Sequence, residues 1–118
     1  MSYRNKKVAA LVFDQLTFFE LGIAVEVFGL PRPEIQPWYD LAVCSAQSGP
    51  LRTLGGMQVV VSKGLRGLAS ADTILVPGWR DVDEQPPENV LRAIRRAHER
   101  GARLMSFCSG AFVLAAAG

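Results

Sequence analysis

Apolar runs and helix-period stripes alternate along this chain. Four segments have the valine-rich or alternating pattern of strands, at residues 7–13, 38–46, 72–76 and 102–107. Three segments have the pattern of helices, at residues 18–30, 86–100 and 109–117. Strands that alternate with helices at this spacing form crossover units. The pattern therefore predicts an α/β fold with a doubly wound parallel sheet.

The helical stripes predict which faces are covered. The first helix is expected to be largely buried and to end before Pro31, because its apolar residues form a broad stripe. The residues of this stripe are Phe18, Leu21, Ile23, Ala24, Val25, Val27 and Phe28. The second helix opens at the proline pair and ends at Gly101. Its predicted inner stripe is Val90, Leu91, Ile94 and Ala97.

The remaining segments are predicted to be connections. Residues 31–37 form a proline-rich loop, and residues 64–70 form a turn-rich link. Residues 51–54 and 57–62, joined at two glycines, predict a small hairpin or a pair of edge strands. The third main strand leads into a polar loop at residues 79–85.

Composition narrows the class of protein. The chain has 118 residues, 49% hydrophobic and 20% charged, which is typical of one globular domain and excludes disorder. The apolar run at residues 8–13 is too short for a signal peptide or a membrane span. Two distant cysteines and no secretory signal predict reduced thiols in the cytoplasm.

Charge does not point strongly to nucleic acid. The formal net charge is only +2, although five arginines concentrate locally at Arg92, Arg95, Arg96, Arg100 and Arg103. These arginines are interpreted as the solvated face of an outer helix, with contact to nucleic acid or a partner as the alternative. His98 is interpreted as a surface residue of the same helix. The residue types and spacings of a metal site are missing from the sequence, and no cofactor is expected.

The strongest chemical signal is the segment SFCSG, where a predicted strand turns directly into a helix. Cys108 would lie on a strained elbow at the carboxyl edge of the sheet, and the amides of Ser109 and Gly110 would face whatever it attacks. The positive end of the helix dipole favours the nucleophilic thiolate. The alternative is that Cys108 is only a small buried apolar residue. Cys44, inside an apolar strand, is interpreted as a core residue.

Three segments, FFELGIAVEVF, ILVPG and SFCSGAFVLAAAG, resemble the successive hallmarks of the ThiJ/PfpI family of the class I glutamine amidotransferase-like superfamily. The resemblance covers essentially residues 1–118. It implies a flavodoxin-like, three-layer α/β/α fold, a homodimer, and a protonated carboxyl group hydrogen-bonded to the cysteine. Glu20 matches that carboxyl group, and desolvation in an apolar segment would favour its neutral form. Alternatively, Glu20 only complements the helix dipole.

Within the family, VPGWRD and CSGAFVLAAAG are most similar to FtrA-like activators, in which this domain precedes an AraC-type helix-turn-helix domain. Family enzymes more often place a second glycine where this chain has Trp79, and this departure favours a role other than catalysis. Gly78 and Trp79 are expected to contact the ligand, and an indole that merely anchors the loop is equally compatible. The family's downstream histidine is missing, so no triad can be assembled.

Three functions follow from these features. The first is a ligand-sensing, dimerising domain of an AraC-type regulator that contacts DNA only through a C-terminal domain not present in this chain. The second is a cysteine-dependent enzyme such as an isonitrile hydratase, glyoxalase or deglycase. The third is an interaction domain with an incidental thiol. The helix at residues 109–117 is apolar on every side, which predicts that the domain is incomplete at its C-terminus.

Overall fold

The computed structural model describes residues 6–35 and 37–118. In chain order its strands and helices are β1 (Lys7–Leu11), α1 (Phe18–Ala24), β2 (Asp40–Cys44), β3 (Leu51–Arg52), β4 (Gln58–Val59), α2 (Arg66–Ala69), β5 (Thr73–Val76), α3 (Glu88–Glu99), β6 (Arg103–Ser106) and α4 (Gly110–Ala117). A π-helical turn, Val25–Gly29, continues α1, and a 3-10 turn, Leu54–Gly56, joins β3 to β4.

The main sheet has four parallel strands in the order β2-β1-β5-β6. In register, Ala9 of β1 lies opposite Ala42 of β2 and Ile74 of β5. Strands β3 and β4 pair antiparallel and form the separate hairpin. The predicted parallel sheet with flanking helices is confirmed, and all four predicted main strands are present with shorter ends.

Two apolar cores lie on opposite faces of the sheet, because side chains alternate along each strand. Leu11 and Ile74 point into the core that also contains the buried stripe of α3 and residues of α2 and α4. Val8 and Leu75 point into the second core, shared with α1 and the hairpin. Helices on both faces make the sheet doubly wound, as predicted.

Helix α3 agrees closely with the expectation from its stripe. All four predicted inner residues are buried, at 2% exposure or less. The chain leaves the helix at Gly101, whose φ of 102° lies in a region that glycine adopts without strain. This helix closes the face of the sheet that carries the larger core.

Helix α1 differs from the prediction, because it is not largely buried. Leu21 and Ala24 are buried, but Phe18 is 40% exposed and Val27 is 45% exposed. The π-helical turn changes the period after Ala24, so the later apolar residues do not continue one stripe. Apart from the strands of the main sheet, the described residues of that core come from the loop after β1, from α1 and its π-helical turn, from the hairpin region and from Phe107.

Two other segments need correction. The predicted link at residues 64–70 contains a short helix, α2, whose Leu68 is fully buried. Helix α4 is covered on one side only, since Val113 is buried while Phe112 is 50% exposed. Among the described residues, no helix combines the length and the apolar character needed to cross a membrane.

Candidate functional site

A cavity of about 230 Å³ opens at the carboxyl edge of the main sheet. It is lined by residues 11–17 and 77–80, which follow β1 and β5, together with Glu20, Leu21 and Ser109. Ligand sites of open parallel sheets commonly occupy this edge. Three predicted ligand-contacting residues, Gly78, Trp79 and Ser109, therefore line one cavity with Glu20.

The elbow between β6 and α4 has the strained backbone that the sequence predicted. Cys108 has a φ of 47°, which is unfavourable for a residue with a side chain. The amide of Phe107 donates to the carbonyl of Val76 at 3.1 Å. A Cβ atom on Gly110 would lie 1.9 Å from the same carbonyl oxygen, so only glycine allows this approach. Gly110 thus has a packing role here.

The two thiols differ in exposure. Cys108 is exposed, whereas Cys44 is fully buried in β2, as expected for a core residue. Burial raises the pKa of the Cys44 thiol, because the thiolate would lose its hydration. The alternative interpretation of Cys108 as a buried apolar residue is therefore wrong. Its chemical role as a reactive thiol stays a prediction.

Trp79 anchors the loop after β5 and also lines the cavity. Its side chain is only 7% exposed and meets the Phe13 ring edge to face, with centroids 4.7 Å apart. The indole Nε1 donates to the carbonyl of Glu84 at 3.1 Å. Both roles proposed for this tryptophan, loop anchor and cavity wall, are compatible with this position.

The backbone of Trp79 is engaged by Ser109. The Trp79 amide donates to Ser109 Oγ at 2.9 Å, and Ser109 Oγ donates to the Trp79 carbonyl at 2.8 Å. One hydroxyl therefore occupies both polar groups of this peptide unit. An amide that is already satisfied does not serve as a free donor for an oxyanion.

Glu20 lies in the cavity wall but does not make the predicted contact. Thr17 Oγ1 donates to Glu20 Oε2 at 3.2 Å, and no hydrogen bond joins Glu20 to Cys108 among the described residues. Cys108 is also not one of the residues that line the cavity. The prediction that the two groups hydrogen-bond is wrong in this structure, since the carboxylate faces the start of its own helix.

Asp14, which lines the cavity, belongs to a charge pair with Arg52 that the sequence analysis missed. Asp14 accepts hydrogen bonds from the Arg52 backbone amide at 2.7 Å and from its Nε at 3.0 Å. The side-chain hydrogen bonds from Arg52 lower the pKa of Asp14 to about 2. The same pair raises the pKa of the Arg52 guanidinium. Asp14 therefore stays ionised through the neutral and mildly acidic range.

Arg80 was also missed, and it connects the two loops of the cavity. Its guanidinium pairs with Glu84, donates to the Asp14 carbonyl at 3.3 Å, and lies 4.6 Å from the centre of the Trp79 ring. The side-chain hydrogen bonds between Arg80 and Glu84 raise the pKa of the arginine and lower that of the glutamate. The cavity wall thus contains a fixed cation stacked on an aromatic ring.

A positional signal for these missed residues was present in the sequence. Asp14 follows the first buried strand within three residues, and Arg80 follows the third within four. Polar residues that directly follow parallel strands meet at one edge of the sheet. Arg52 had no such signal, because only the tertiary fold brings β3 to this edge. His98 is exposed on α3, as expected.

Comparison with known proteins identifies the family that the sequence matches and a protein of similar sequence. The model of the DJ-1/PfpI family matches residues 6–118. A relative from Streptomyces lividans, "Uncharacterized protein in cpoL 5'region", is 36% identical over 113 residues, which cover 95% of this chain and 79% of that protein.

Two solved structures are similar at lower identity. The AraC family transcriptional regulator from Pseudomonas putida has a TM-score of 0.79 at 17% identity, with 95% of this chain and 60% of that chain covered. A putative transcriptional regulator protein from Vibrio parahaemolyticus has a TM-score of 0.78 at 21% identity, covering 97% and 62%. At these identities the likeness shows the fold alone. The present chain spans less than two thirds of either structure.

Proposed function

We propose that this chain, which belongs to the DJ-1/PfpI family, is the ligand-sensing and dimerising domain of an AraC-type transcription regulator. The observation that carries the proposal is the engaged amide of Trp79, which is bound by Ser109 Oγ at 2.9 Å. Family enzymes more often have glycine at this position, with a free amide for an oxyanion. Here the same place has a bulky indole and an occupied donor, which suits binding better than turnover.

The cavity has the properties of a small-molecule sensor. Phe13 and Trp79 supply an aromatic wall, while Glu20, Arg80 and the carbonyl groups of the loops supply polar contacts. A volume of about 230 Å³ restricts the ligand to a small molecule. Because Arg80 bridges the loop after β5 to that after β1, a ligand that displaced it would loosen both loops together.

The regulator proposal extends beyond this domain. Two structural neighbours are described as transcriptional regulators, one of them of the AraC family. We propose in addition that the protein is a cytoplasmic homodimer that contacts DNA through a C-terminal helix-turn-helix domain outside this chain. The small net charge of +2 agrees with a sensor domain that does not bind DNA by itself.

A second function rests on a different observation. Cys108 is exposed on a strained strand-to-helix elbow, the position that nucleophiles occupy in several hydrolase folds. This geometry favours a cysteine-dependent enzyme, such as an isonitrile hydratase, a glyoxalase or a deglycase. Among the described residues no histidine lines the cavity, and turnover that lacks a general base is slower by about 100-fold or more.

One experiment separates the two functions. The Trp38→Phe variant leaves Trp79 as the sole tryptophan, so its fluorescence reports on ligands entering the cavity. We expect a small-molecule library to yield ligands that change this fluorescence, and no turnover of isonitriles or 2-oxoaldehydes. Turnover that is lost in Cys108→Ser would overturn the regulator proposal in favour of the enzyme.

The downstream reading frame gives an independent test. Two helix-turn-helix units after this domain would support the regulator. A tail that only completes an α/β domain would contradict it.

A further inference from the structure

We propose that a groove between α2 and α3 binds an acidic, amphipathic helical segment of a partner protein. The groove has a volume of about 550 Å³ and lies away from the cavity at the carboxyl edge of the sheet. Its walls have four arginines, namely Arg66, Arg92, Arg96 and Arg100. Of the described residues that line it, none is acidic. This proposal does not depend on the function assigned to the cavity.

None of these four arginines has an ion-pair partner within the described part of the chain, and Arg100 bonds only to backbone carbonyls. Arg66, Arg92 and Arg96 are exposed, and the neighbouring Arg95 instead takes the carboxylate of Glu88 at 3.1 Å. Arg92, Arg96 and Arg100 follow one another at intervals of four residues, so like charges face each other on successive turns of α3. Such like-charge pairs destabilise a helix. The carbonyl groups that bind Arg100 and the negative end of the helix dipole near Arg96 offset part of this repulsion, and an anionic partner would offset more of it.

The geometry selects the shape of the anion. Residues four apart on a helix are separated by about 6 Å along the axis. A partner helix with carboxylates at the same four-residue interval presents the same repeat. Guanidinium groups bind carboxylates through paired hydrogen bonds, which gives the match its directionality. The arginine row on α3 is therefore complementary to a helix with one acidic face.

The base of the groove argues for a protein rather than a nucleic acid. Besides the arginines and Asn89, the described lining of the groove consists of small or apolar side chains, namely Leu65, Ala69, Ala93 and Ala97. A phosphate backbone has no apolar surface to bury there, and none of the described residues that line this groove is an aromatic that could stack on a base. An amphipathic helix would bury its apolar residues in the groove and place its carboxylates at the rim.

One wall of the groove is held in position by the fold. Arg100 donates to the carbonyl of Leu68 at 3.1 Å and to that of Ala71 at 3.0 Å, so it ties α3 to the end of α2. The other three arginines project from these two helices without such bonds. The groove is consequently preformed, which lowers the entropic cost of binding.

The test uses a fluorescein-labelled, 18-residue helical peptide with glutamate every fourth residue and leucine beside it. Fluorescence anisotropy with the 118-residue chain should give a dissociation constant of about 10 µM that weakens with salt. Arg92→Gln/Arg96→Gln should weaken binding about tenfold. Arg66→Gln, on the other wall, should weaken it about threefold.

The matched control is Lys63→Gln/Arg103→Gln, which removes the same charge from exposed sites outside the groove. It should change the affinity less than twofold. Circular dichroism should show that both double variants remain folded, with Arg92→Gln/Arg96→Gln melting at the same temperature as the control or higher, because it removes a like-charge pair. Three results would overturn the proposal: equal binding of a peptide with glutamine for glutamate, equal weakening by the control, or no binding.

Tighter binding of an 18-base-pair DNA through Arg92 and Arg96 would assign the groove to nucleic acid instead. Self-association lost in Arg92→Gln/Arg96→Gln would assign it to a second copy of the chain.

Discussion

Two junctions that follow strands at the edge of the sheet have the same kind of backbone strain, a positive φ, but different contacts stabilise them. Gln15 after β1 and Cys108 after β6 have φ values of 67° and 47°, and they are the non-glycine residues with positive φ in the described chain. Around Gln15 the loop is held by polar bonds, because its amide donates to the Arg52 carbonyl at 2.8 Å and Asp14 pairs with Arg52. Around Cys108 the backbone is held by the close packing of Gly110.

The difference shows what each junction leaves available for chemistry. At the first junction, the hydrogen-bonded pair of Asp14 and Arg52, here called the polar clamp, uses both side chains to hold the loop in place. This junction therefore contributes to the wall of the cavity. The elbow requires no side-chain bond from Cys108 to hold its shape, and the thiol stays exposed. Strain maintained by packing therefore leaves the Cys108 thiol exposed, whereas strain maintained by the Asp14–Arg52 charge pair depends on pH.

The largest expected effect comes from breaking the packing of the elbow. Gly110→Ala places a methyl group 1.9 Å from the Val76 carbonyl oxygen, so the free energy of unfolding should fall by about 3 kcal/mol. Gly22→Ala is the matched control, because no atom lies within 4 Å of its added Cβ and it is inside α1. We expect that control to be neutral or stabilising by about 0.5 kcal/mol. Urea unfolding measures both, and equal losses would refute the role assigned to the elbow.

The second prediction contrasts the two thiols directly. Iodoacetamide at neutral pH should label Cys108 about 100-fold faster than Cys44, since the latter is buried and reacts only when the structure opens. Mass spectrometry after short labelling gives the ratio. In urea the two rates should become similar. A ratio near one in the folded protein would contradict the difference between the two sites.

The third prediction tests the polar clamp through pH. The pKa of Asp14 is lowered from 3.8 to about 2, so its contribution to stability is complete above pH 4 and is lost as the pH falls towards 2. In Asp14→Asn the free energy of unfolding should vary less with pH in this window. Asp40→Asn, at an exposed site on β2, is the matched control for the removal of one carboxylate. Parallel curves for wild type and Asp14→Asn would show that the clamp does not act in this way.

The smallest expected effect concerns the loop that bridges the two junctions. Trp79→Phe keeps an aromatic ring against Phe13 but removes the hydrogen bond to Glu84, at a cost of about 1 kcal/mol. Trp38→Phe is the matched control, because its indole Nε1 is buried without a partner among the described residues. That control should cost less or stabilise. Chemical denaturation distinguishes them, and a larger loss in Trp38→Phe would reverse the assignment.

Local patterns predicted the elements that depend on local patterns. The period-2 and period-3.6 signals placed the main strands and the buried stripe of α3, because burial on one face leaves a regular spacing in the sequence. The elbow was predictable because it is also a local feature: the end of the strand, Cys108 and Gly110 lie within a few residues of one another in the sequence. Short α2 had no such signal, because one helical turn is too brief to show a period.

The sequence by itself therefore determined the parallel α/β fold, the position of Cys108 and the membership of Cys44 in the core. Only the tertiary structure decided which distant groups meet. It brought Arg52 to Asp14 across 38 positions and Ser109 to the amide of Trp79 across 30. It also turned Glu20 towards Thr17 instead of Cys108. Hydrogen bonds of this kind form only when the donor and acceptor atoms of separate elements are positioned to within a few tenths of an ångström. A linear pattern of residues does not encode such positions.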